Sequence, residues 1–322
     1  MKRYTLIAMA FAIALGTYSS AEASALSAIP TTGTIIELED DDWEVLVKAD
    51  GGTVFDPLAG QSKTIEEGDF FVGMLRISQI NGGTGSPTLH DYSETGETIT
   101  AIFAIKVLTK DTILPGAYTY TATTLNDDEW EAIGMNALGF TRNSSDTVAI
   151  VYDDPNNLDP GTTADAVSDV LTGPGGPGGT PLWEFGLTGA NNFWVVGVSG
   201  DLIPDTGSGN FANFAAGLDV TYSYPATSLY VLAPIVNSFL TAPSIFGPAI
   251  PAGSSQLLVT GSVKPPGAPD TSFHLVSDTD LYISATKVPE PGSMVLLGMG
   301  AAGLFAGARR RRLAKKELQQ AA

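Results

Sequence analysis

The middle of the chain is built from short apolar runs, and this pattern restricts it to β structure. The runs are rich in Val, Ile, Thr, Tyr and Phe, and Gly, Pro, Asn, Asp or Ser residues separate them. Several alternate with a period of two, as in 118–121, where tyrosines face one side and threonines the other. The candidate strands are 34–38, 44–48, 70–80, 98–108, 117–123, 147–152, 183–188, 193–199, 218–224, 229–232, 257–263, 273–276 and 281–285. This spacing predicts an all-β fold, an antiparallel β-sandwich built as one large unit or two smaller ones.

Three local features refine this expectation. The runs 183–188 and 193–199 flank Gly189-Ala190-Asn191-Asn192, which predicts a hairpin. Only 162–171 has a helical pattern. The segment 173–181 is too rich in Gly and Pro to pack a core, so it is a surface loop or a joint between two halves.

Composition excludes several classes of function. The chain of 322 residues contains no cysteine, so disulfides, thiolate zinc sites and cysteine nucleophiles are excluded. The formal net charge is −19, and the Lys and Arg residues are concentrated in the two end segments. The central span is therefore strongly acidic, and we expect it to repel nucleic acid. Plain solubility is a sufficient reason for such a surface.

The N-terminal segment has the order of parts typical of a secretory signal peptide. Lys2 and Arg3 precede an apolar stretch at 6–15, and small residues follow at 19–25. Two overlapping A-x-A cleavage frames end at Ala23 and Ala25. We therefore predict a signal helix in residues 1–25, removal by signal peptidase, and export of the domain at 26–287.

The C-terminal segment has three different parts in sequence. Pro289, Glu290 and Pro291 form an extended stretch, because proline disfavours helix in its own and the preceding residue. Residues 292–308 are free of charge, and as a helix they would rise about 25 Å, slightly less than the hydrocarbon core of a bilayer. Four consecutive basic residues follow: Arg309, Arg310, Arg311 and Arg312. They predict a membrane stop and a cytoplasmic tail at 313–322.

This tripartite tail resembles the PEP-CTERM sorting signal. The resemblance covers 288–312, with Pro289, Glu290 and Pro291 as the motif and Arg309 to Arg312 as the basic stop. It implies a transient single-pass inner-membrane intermediate, cleavage by an exosortase, and transfer to the cell surface or extracellular matrix, where exopolysaccharide would be a neighbour. The alternative is an ordinary membrane anchor that is left uncut.

Acidic tracts in the sequence suggest calcium as a candidate cofactor, the only one that this composition favours. Oxygen ligands come from two groups: Asp40, Asp41 and Asp42, and the stretch with Asp153, Asp154 and Asp159. Neither group has EF-hand spacing, so a solvated acidic surface is the alternative. The segments 38–44 and 125–131 share an order of Leu, acidic residues, Trp and Glu, which suggests either a duplication or chance similarity.

Few residues are available for catalysis. His90 and His274 are the only histidines, and no Gly-x-Ser-x-Gly element is present. The four tryptophans, Trp43, Trp130, Trp183 and Trp194, suit either a core or sugar stacking. We therefore expect a non-enzymatic, secreted, structural, adhesive or glycan-associated protein. The alternative is a secreted polysaccharide hydrolase, which needs only two paired carboxylates.

Overall fold

The structure is a computed structural model. It describes residues 29–30, 32–49, 65–82, 87–92, 98–137, 139–154, 179–199, 212–227, 230–240, 250–264, 275–288 and 299. The chain divides into a unit of residues 21–286 and a unit of residues 1–20 and 287–322.

The regular secondary structure of the described residues is almost entirely β-strand. In chain order, the strands are β1 (Thr32–Val47), β2 (Phe70–Asn81), β3 (Thr88–Asp91), β4 (Thr98–Leu114), β5 (Ala117–Thr123), β6 (Thr147–Asp154), β7 (Thr180–Gly186), β8 (Phe193–Ser199), β9 (Ala212–Ser223), β10 (Tyr230–Leu232), β11 (Ile235–Val236), β12 (Ser254–Ser255), β13 (Leu257–Lys264) and β14 (Leu275–Lys287). One helix, α1 (Asp127–Ala132), lies between β5 and β6.

Strand pairing closes the main sheet into an eight-stranded antiparallel barrel. β1 pairs with β2, β2 with β4, β9 with β13, and β13 with β14. Between β4 and β9 the wall contains two pairs of strands. β5 pairs with β8, β6 pairs with β7, and each pair connects β4 to β9. β14 then pairs with β1 and completes the ring. The strands follow one another around the barrel in chain order, which is an up-and-down topology.

Two of the eight wall positions are each filled by two strands that lie end to end. β5 and β6 both pair with β4, along its second and first halves respectively. β7 and β8 both pair with β9, along its second and first halves respectively. The predicted hairpin of 183–188 and 193–199 is therefore wrong, because β7 and β8 continue in one direction along β9. Residues 187–192 form a turn within that wall, in which the side chain of Asn192 accepts hydrogen bonds from the backbone N–H groups of Thr188 and Gly189.

The all-β, antiparallel prediction is confirmed, and the strands enclose a single barrel instead of facing each other as two sheets. Strand patterning cannot separate these arrangements, since in both every strand buries one face. The pairing of the first strand with the last shows that the sheet is a closed barrel.

β6 and β7 pair directly, so the sheet is continuous across the chain segment 155–178, which lies outside the described residues. The predicted helix at 162–171 falls in that segment.

Aromatic rings fill the barrel interior by resting on glycines of neighbouring strands. Phe103 lies opposite Gly73, and a Cβ added to Gly73 would approach the ring to 2.2 Å. Phe214 lies opposite Gly261 in the same manner, with an approach of 2.7 Å. Trp194 packs between the two rings, at centroid distances of 5.5 Å from Phe103 and 6.3 Å from Phe214. The missing side chains of the glycines therefore create the room that these large rings occupy.

Two smaller clusters cover the outside of the barrel. Residues between β5 and β6, including α1, place Trp130 and Phe140 over the outer side chains of β1, β2, β4 and β6. The Trp130 indole donates to the Phe140 carbonyl at 2.9 Å, and the Arg142 guanidinium lies over its ring. On the other side, Ile235 and Leu240 cover β8, β9, β13 and β14.

The suspected duplication is not a structural repeat. Residues 38–44 lie inside β1, whereas 125–131 form a turn and the start of α1. Asn126 caps that helix, since its side chain accepts from the Glu129 N–H while the Glu129 carboxylate accepts from the Asn126 N–H. The acidic residues of the second segment therefore suit a helix N-terminus, where negative charge is favourable.

Replacing Gly73 with alanine should destabilise the barrel, because the new methyl group would overlap the Phe103 ring. We expect a loss of about 1–3 kcal/mol in the free energy of unfolding, measured by urea denaturation. Gly189→Ala is the matched control, since nothing lies within 4 Å of the position where its Cβ would be. Its effect should stay within about 0.5 kcal/mol. Equal effects of the two substitutions would contradict this account of the interior.

Candidate functional site

The chain enters and leaves the barrel at one end. Thr32 at the start of β1 is paired with Thr286 near the end of β14. β14 ends at Lys287, and Val288 after it is exposed. The predicted sorting residues Pro289, Glu290 and Pro291 follow directly and lie outside the described residues, as do Arg309, Arg310, Arg311 and Arg312. The predicted cleavage positions Ala23 and Ala25 also lie outside them.

The predicted membrane helix at 292–308 is described at one residue. Met299 is helical and exposed. Among the residues that the structure describes, no helix has the length and apolar character needed to cross a membrane.

The barrel interior holds two small apolar cavities, of about 60 and 50 Å³. The larger is lined by aromatic and aliphatic side chains, with Glu44 and Thr279 as its polar members. Typical sites for small organic ligands have volumes of roughly 300–1,000 Å³. The interior of this barrel is therefore a packed core, and candidate ligand-binding residues are those on its surface.

The described tryptophans belong to cores. The side chains of Trp130, Trp183 and Trp194 are all buried, and that of Trp43 is not described. The three buried indoles are not available to stack on a sugar. Tyr222 is exposed and packs edge-on against Tyr224, at a centroid distance of 4.9 Å.

One fully buried carboxylate, Glu184 on β7, is satisfied by its neighbours. Its oxygens accept hydrogen bonds from the backbone and side-chain amides of Asn143, from Thr147 and from Tyr224, at 2.6–2.9 Å. Burial raises the pKa of Tyr224, and Glu184 raises it further, so the phenol remains a donor. These bonds attach the segment before β6 to β7, which gives Glu184 a structural role.

A second group of carboxylates, which we call the acidic ladder, lies on the outer face of the β1–β14 pair. It consists of Glu37 and Glu39 on β1 with Asp278 and Asp280 on β14. Glu39 is directly opposite Asp280, and Glu37 is opposite Tyr282. The Tyr282 hydroxyl lies 3.5 Å from oxygens of both Glu37 and Asp280, so those two oxygens are no more than 7 Å apart.

Like charges act on this ladder. Burial raises the pKa of Glu37, and the carboxylates of Asp280 and Glu39 raise it further. The pKa of Asp280 is raised by burial and then by Glu39 and Asp278. Directly opposed like charges destabilise a strand pair. These carboxylates therefore destabilise the β1–β14 pair that closes the barrel, which we call the seam.

The calcium candidates from the sequence are separated by the fold. Asp40, Asp41 and Asp42 lie within β1, where the sequence predicted a gap between strands, and their side chains are not described. Asp153 and Asp154 end β6 instead of starting a loop, and Asp159 lies outside the described residues. Across the described ranges, no three His, Cys, Asp or Glu side chains are grouped so that they could hold a metal ion as they stand.

Comparison with known proteins identifies the tail. Residues 287–312 match the PEP-CTERM protein-sorting motif. The chain carries a PEP-CTERM sorting signal. The PEP-CTERM match supports export, a transiently membrane-anchored intermediate and processing by an exosortase, in agreement with the resemblance noted from the sequence. No curated protein and no solved structure matches the chain.

The acidic ladder was missed by the sequence analysis, although a signal for it exists. Glu37 and Glu39, and likewise Asp278 and Asp280, are spaced by two residues within apolar strands. Such spacing places both members of each pair on one face of a strand. Only the pairing of β1 with β14, which are far apart in the sequence, shows that the two faces meet.

The raised pKa values of Glu37 and Asp280 should make the stability of the barrel fall as pH rises from about 4 towards 7. A carboxyl whose pKa is raised by folding loses its proton first in the unfolded chain, so ionisation favours unfolding. We expect Glu37→Gln and Asp280→Asn each to flatten this fall, measured by urea denaturation across the pH range. Glu131→Gln, on the exposed face of α1, is the control and should leave the slope unchanged. Variants that steepen the fall would show that the ladder charges stabilise the seam.

Proposed function

We propose that this protein is a non-enzymatic structural or adhesive component of the cell surface or extracellular matrix, delivered there by exosortase processing. The observation that carries the proposal is the position of the sorting signal. It begins where β14 ends, at the end of the barrel where β1 also begins. Cleavage near Pro289–Pro291 would remove the anchor and leave every strand of the closed barrel in place.

Removal of the signal peptide is also compatible with an intact barrel. Signal peptidase acting after Ala23 or Ala25 would also cut outside the barrel, since β1 starts at Thr32. Both enzymes would thus cut outside the span from Thr32 to Lys287 that contains the described strands. A barrel without a free sheet edge in its main ring also suits an extracellular protein, because unpaired edges promote aggregation.

The far end of the barrel offers a contact surface. β4 begins near the end where the chain enters, and it runs towards the opposite end, where Pro115 and Gly116 turn it into β5. Leu108, Ile113 and Leu114 are exposed on this hairpin. Ile113 and Leu114 are adjacent beside the turn, and exposed apolar surface can mark an interaction site. We place the adhesive contact here, with a matrix component such as exopolysaccharide or a neighbouring surface protein.

The alternative, a secreted polysaccharide hydrolase, is motivated by the close carboxylates of Glu37, Glu39 and Asp280. An enzyme of that class requires an acid and a base or nucleophile beside the bound sugar. Release of reducing sugars from surface polysaccharide by the purified protein, and loss of that release in Asp280→Asn, would establish the hydrolase instead of the structural role.

Changing Pro289 and Pro291 together to alanine should block sorting, because the extended motif would be lost. We expect the variant to accumulate in the membrane fraction with residues 309–312 attached, detected by mass spectrometry of its C-terminal peptide. Gln319→Ala with Gln320→Ala, outside the matched residues, is the control and should sort normally. Normal release of the proline variant, or wild-type protein that retains Arg309 after release, would contradict the proposed route.

Changing Ile113 and Leu114 together to serine should weaken attachment to the matrix without loss of the fold, since both side chains are already exposed. We expect more protein in the culture medium and an unchanged thermal melting curve. Leu89→Ser, an exposed position on β3, is the matched control. Retention of the hairpin variant equal to that of the control would remove this hairpin from the adhesive contact. Sorting of the hairpin variant should remain normal, so this failure is distinguishable from a failure of export.

A further inference from the structure

The acidic ladder has buried oxygen atoms that lack hydrogen-bond donors. Glu37 is 6% exposed, and its Oε2 atom has no hydrogen-bond partner among the described residues. Asn81, opposite Glu37 on β2, is 5% exposed, and its Oδ1 atom also has none within the same ranges. A buried acceptor without a donor is unfavourable, so two of them on register partners require an explanation.

These two residues are part of one polar surface that spans three strands. The Asn81 side-chain amide donates to Glu39 Oε1 at 2.7 Å, which joins β2 to the ladder. Glu39 lies opposite Asp280, and the Tyr282 hydroxyl contacts both Glu37 and Asp280. The unsatisfied atoms therefore belong to the same group of oxygens as the carboxylates of the ladder.

The chemistry of this group selects its ligand. Carboxylate, amide and hydroxyl oxygens are the ligands that calcium prefers, in flexible sets of 6–8 atoms. Zinc sites rely mainly on Cys and His, and the chain has no cysteine. A cation would also neutralise the repulsion between facing carboxylates that strains the seam.

We propose that a calcium ion binds on the outer face of the seam, with Glu37, Glu39, Asn81 and Asp280 as its protein ligands. The ion supplies the positive partner for the two unsatisfied oxygens and links β2, β1 and β14. Glu39 and Asp280 are register partners across the β1–β14 pair, and both side chains would turn towards the ion on binding.

The proposed site lies on the strand pair that closes the barrel and precedes the sorting signal in the chain. β1 and β14 are the first and last strands of the barrel, and β14 leads directly into the sorting signal. Calcium on the outer side of the membrane would stabilise the closing pair only after the chain has left the cytoplasm, where free calcium is scarce. This site is distinct from the sequence candidates Asp153, Asp154 and Asp159, which lie on or after β6.

The proposal is tested by calcium titration of the full chain, with the melting temperature and calcium-45 equilibrium dialysis as readouts. We expect a dissociation constant on the order of 10⁻⁴–10⁻³ M, as in other extracellular calcium modules, and a rise of several degrees in melting temperature. Sodium chloride at matched ionic strength is the screening control and should give a smaller rise. Equal rises with sodium and calcium, or no saturable calcium binding, would overturn the proposal.

Variants locate the ion. Glu37→Gln and Asp280→Asn should each weaken calcium binding at least tenfold, and both should fold, since they relieve repulsion in the calcium-free protein. Glu131→Gln removes the same charge from α1 and should bind calcium as the wild type does. Asp153→Asn combined with Asp154→Asn tests the other candidate. Loss of binding in that double variant, with normal binding in Glu37→Gln and Asp280→Asn, would place the ion elsewhere and refute the proposed site.

Discussion

The pairing of β1 with β14 is the interaction on which the rest of the structure depends. It joins the two ends of the folded domain and turns a meander of neighbouring strands into a closed barrel. The closed ring shields one face of each main strand and leaves no edge in that ring exposed. The same pairing brings the start of β1 and the end of β14 to one end of the barrel.

The closing seam combines this role with unfavourable electrostatics. Glu39 faces Asp280, and Glu37 is buried with an oxygen that has no donor among the described residues. A solvated acidic surface would account for exposed carboxylates, but it does not account for buried ones. The buried Glu184 offers a contrast within the same barrel, since amide and hydroxyl donors surround it. This difference separates a carboxylate that holds the fold together from a group of oxygens that suits a cation.

Much of the strand pattern could be predicted from residue periodicity, and the errors have physical causes. The runs 117–123 and 193–199 coincide with β5 and β8. The runs 34–38 and 44–48 were separated because acidic residues lie between them, yet they form the single strand β1, whose two ladders with β2 and β14 extend through those residues. The hairpin at 183–199 was wrong because a turn between two strands does not reveal whether they pair with each other or with a common neighbour.

The sequence by itself determined the sorting signal, because the motif in the C-terminal tail is a linear pattern that can be recognised without the fold. It also determined the all-β class, since alternation along a strand is a local property. Only the tertiary structure decided that the strands close into one barrel and that Glu37 and Glu39 meet Asp278 and Asp280. Those contacts join residues more than two hundred positions apart, and which of many similar strands pair depends on the packing of the whole core.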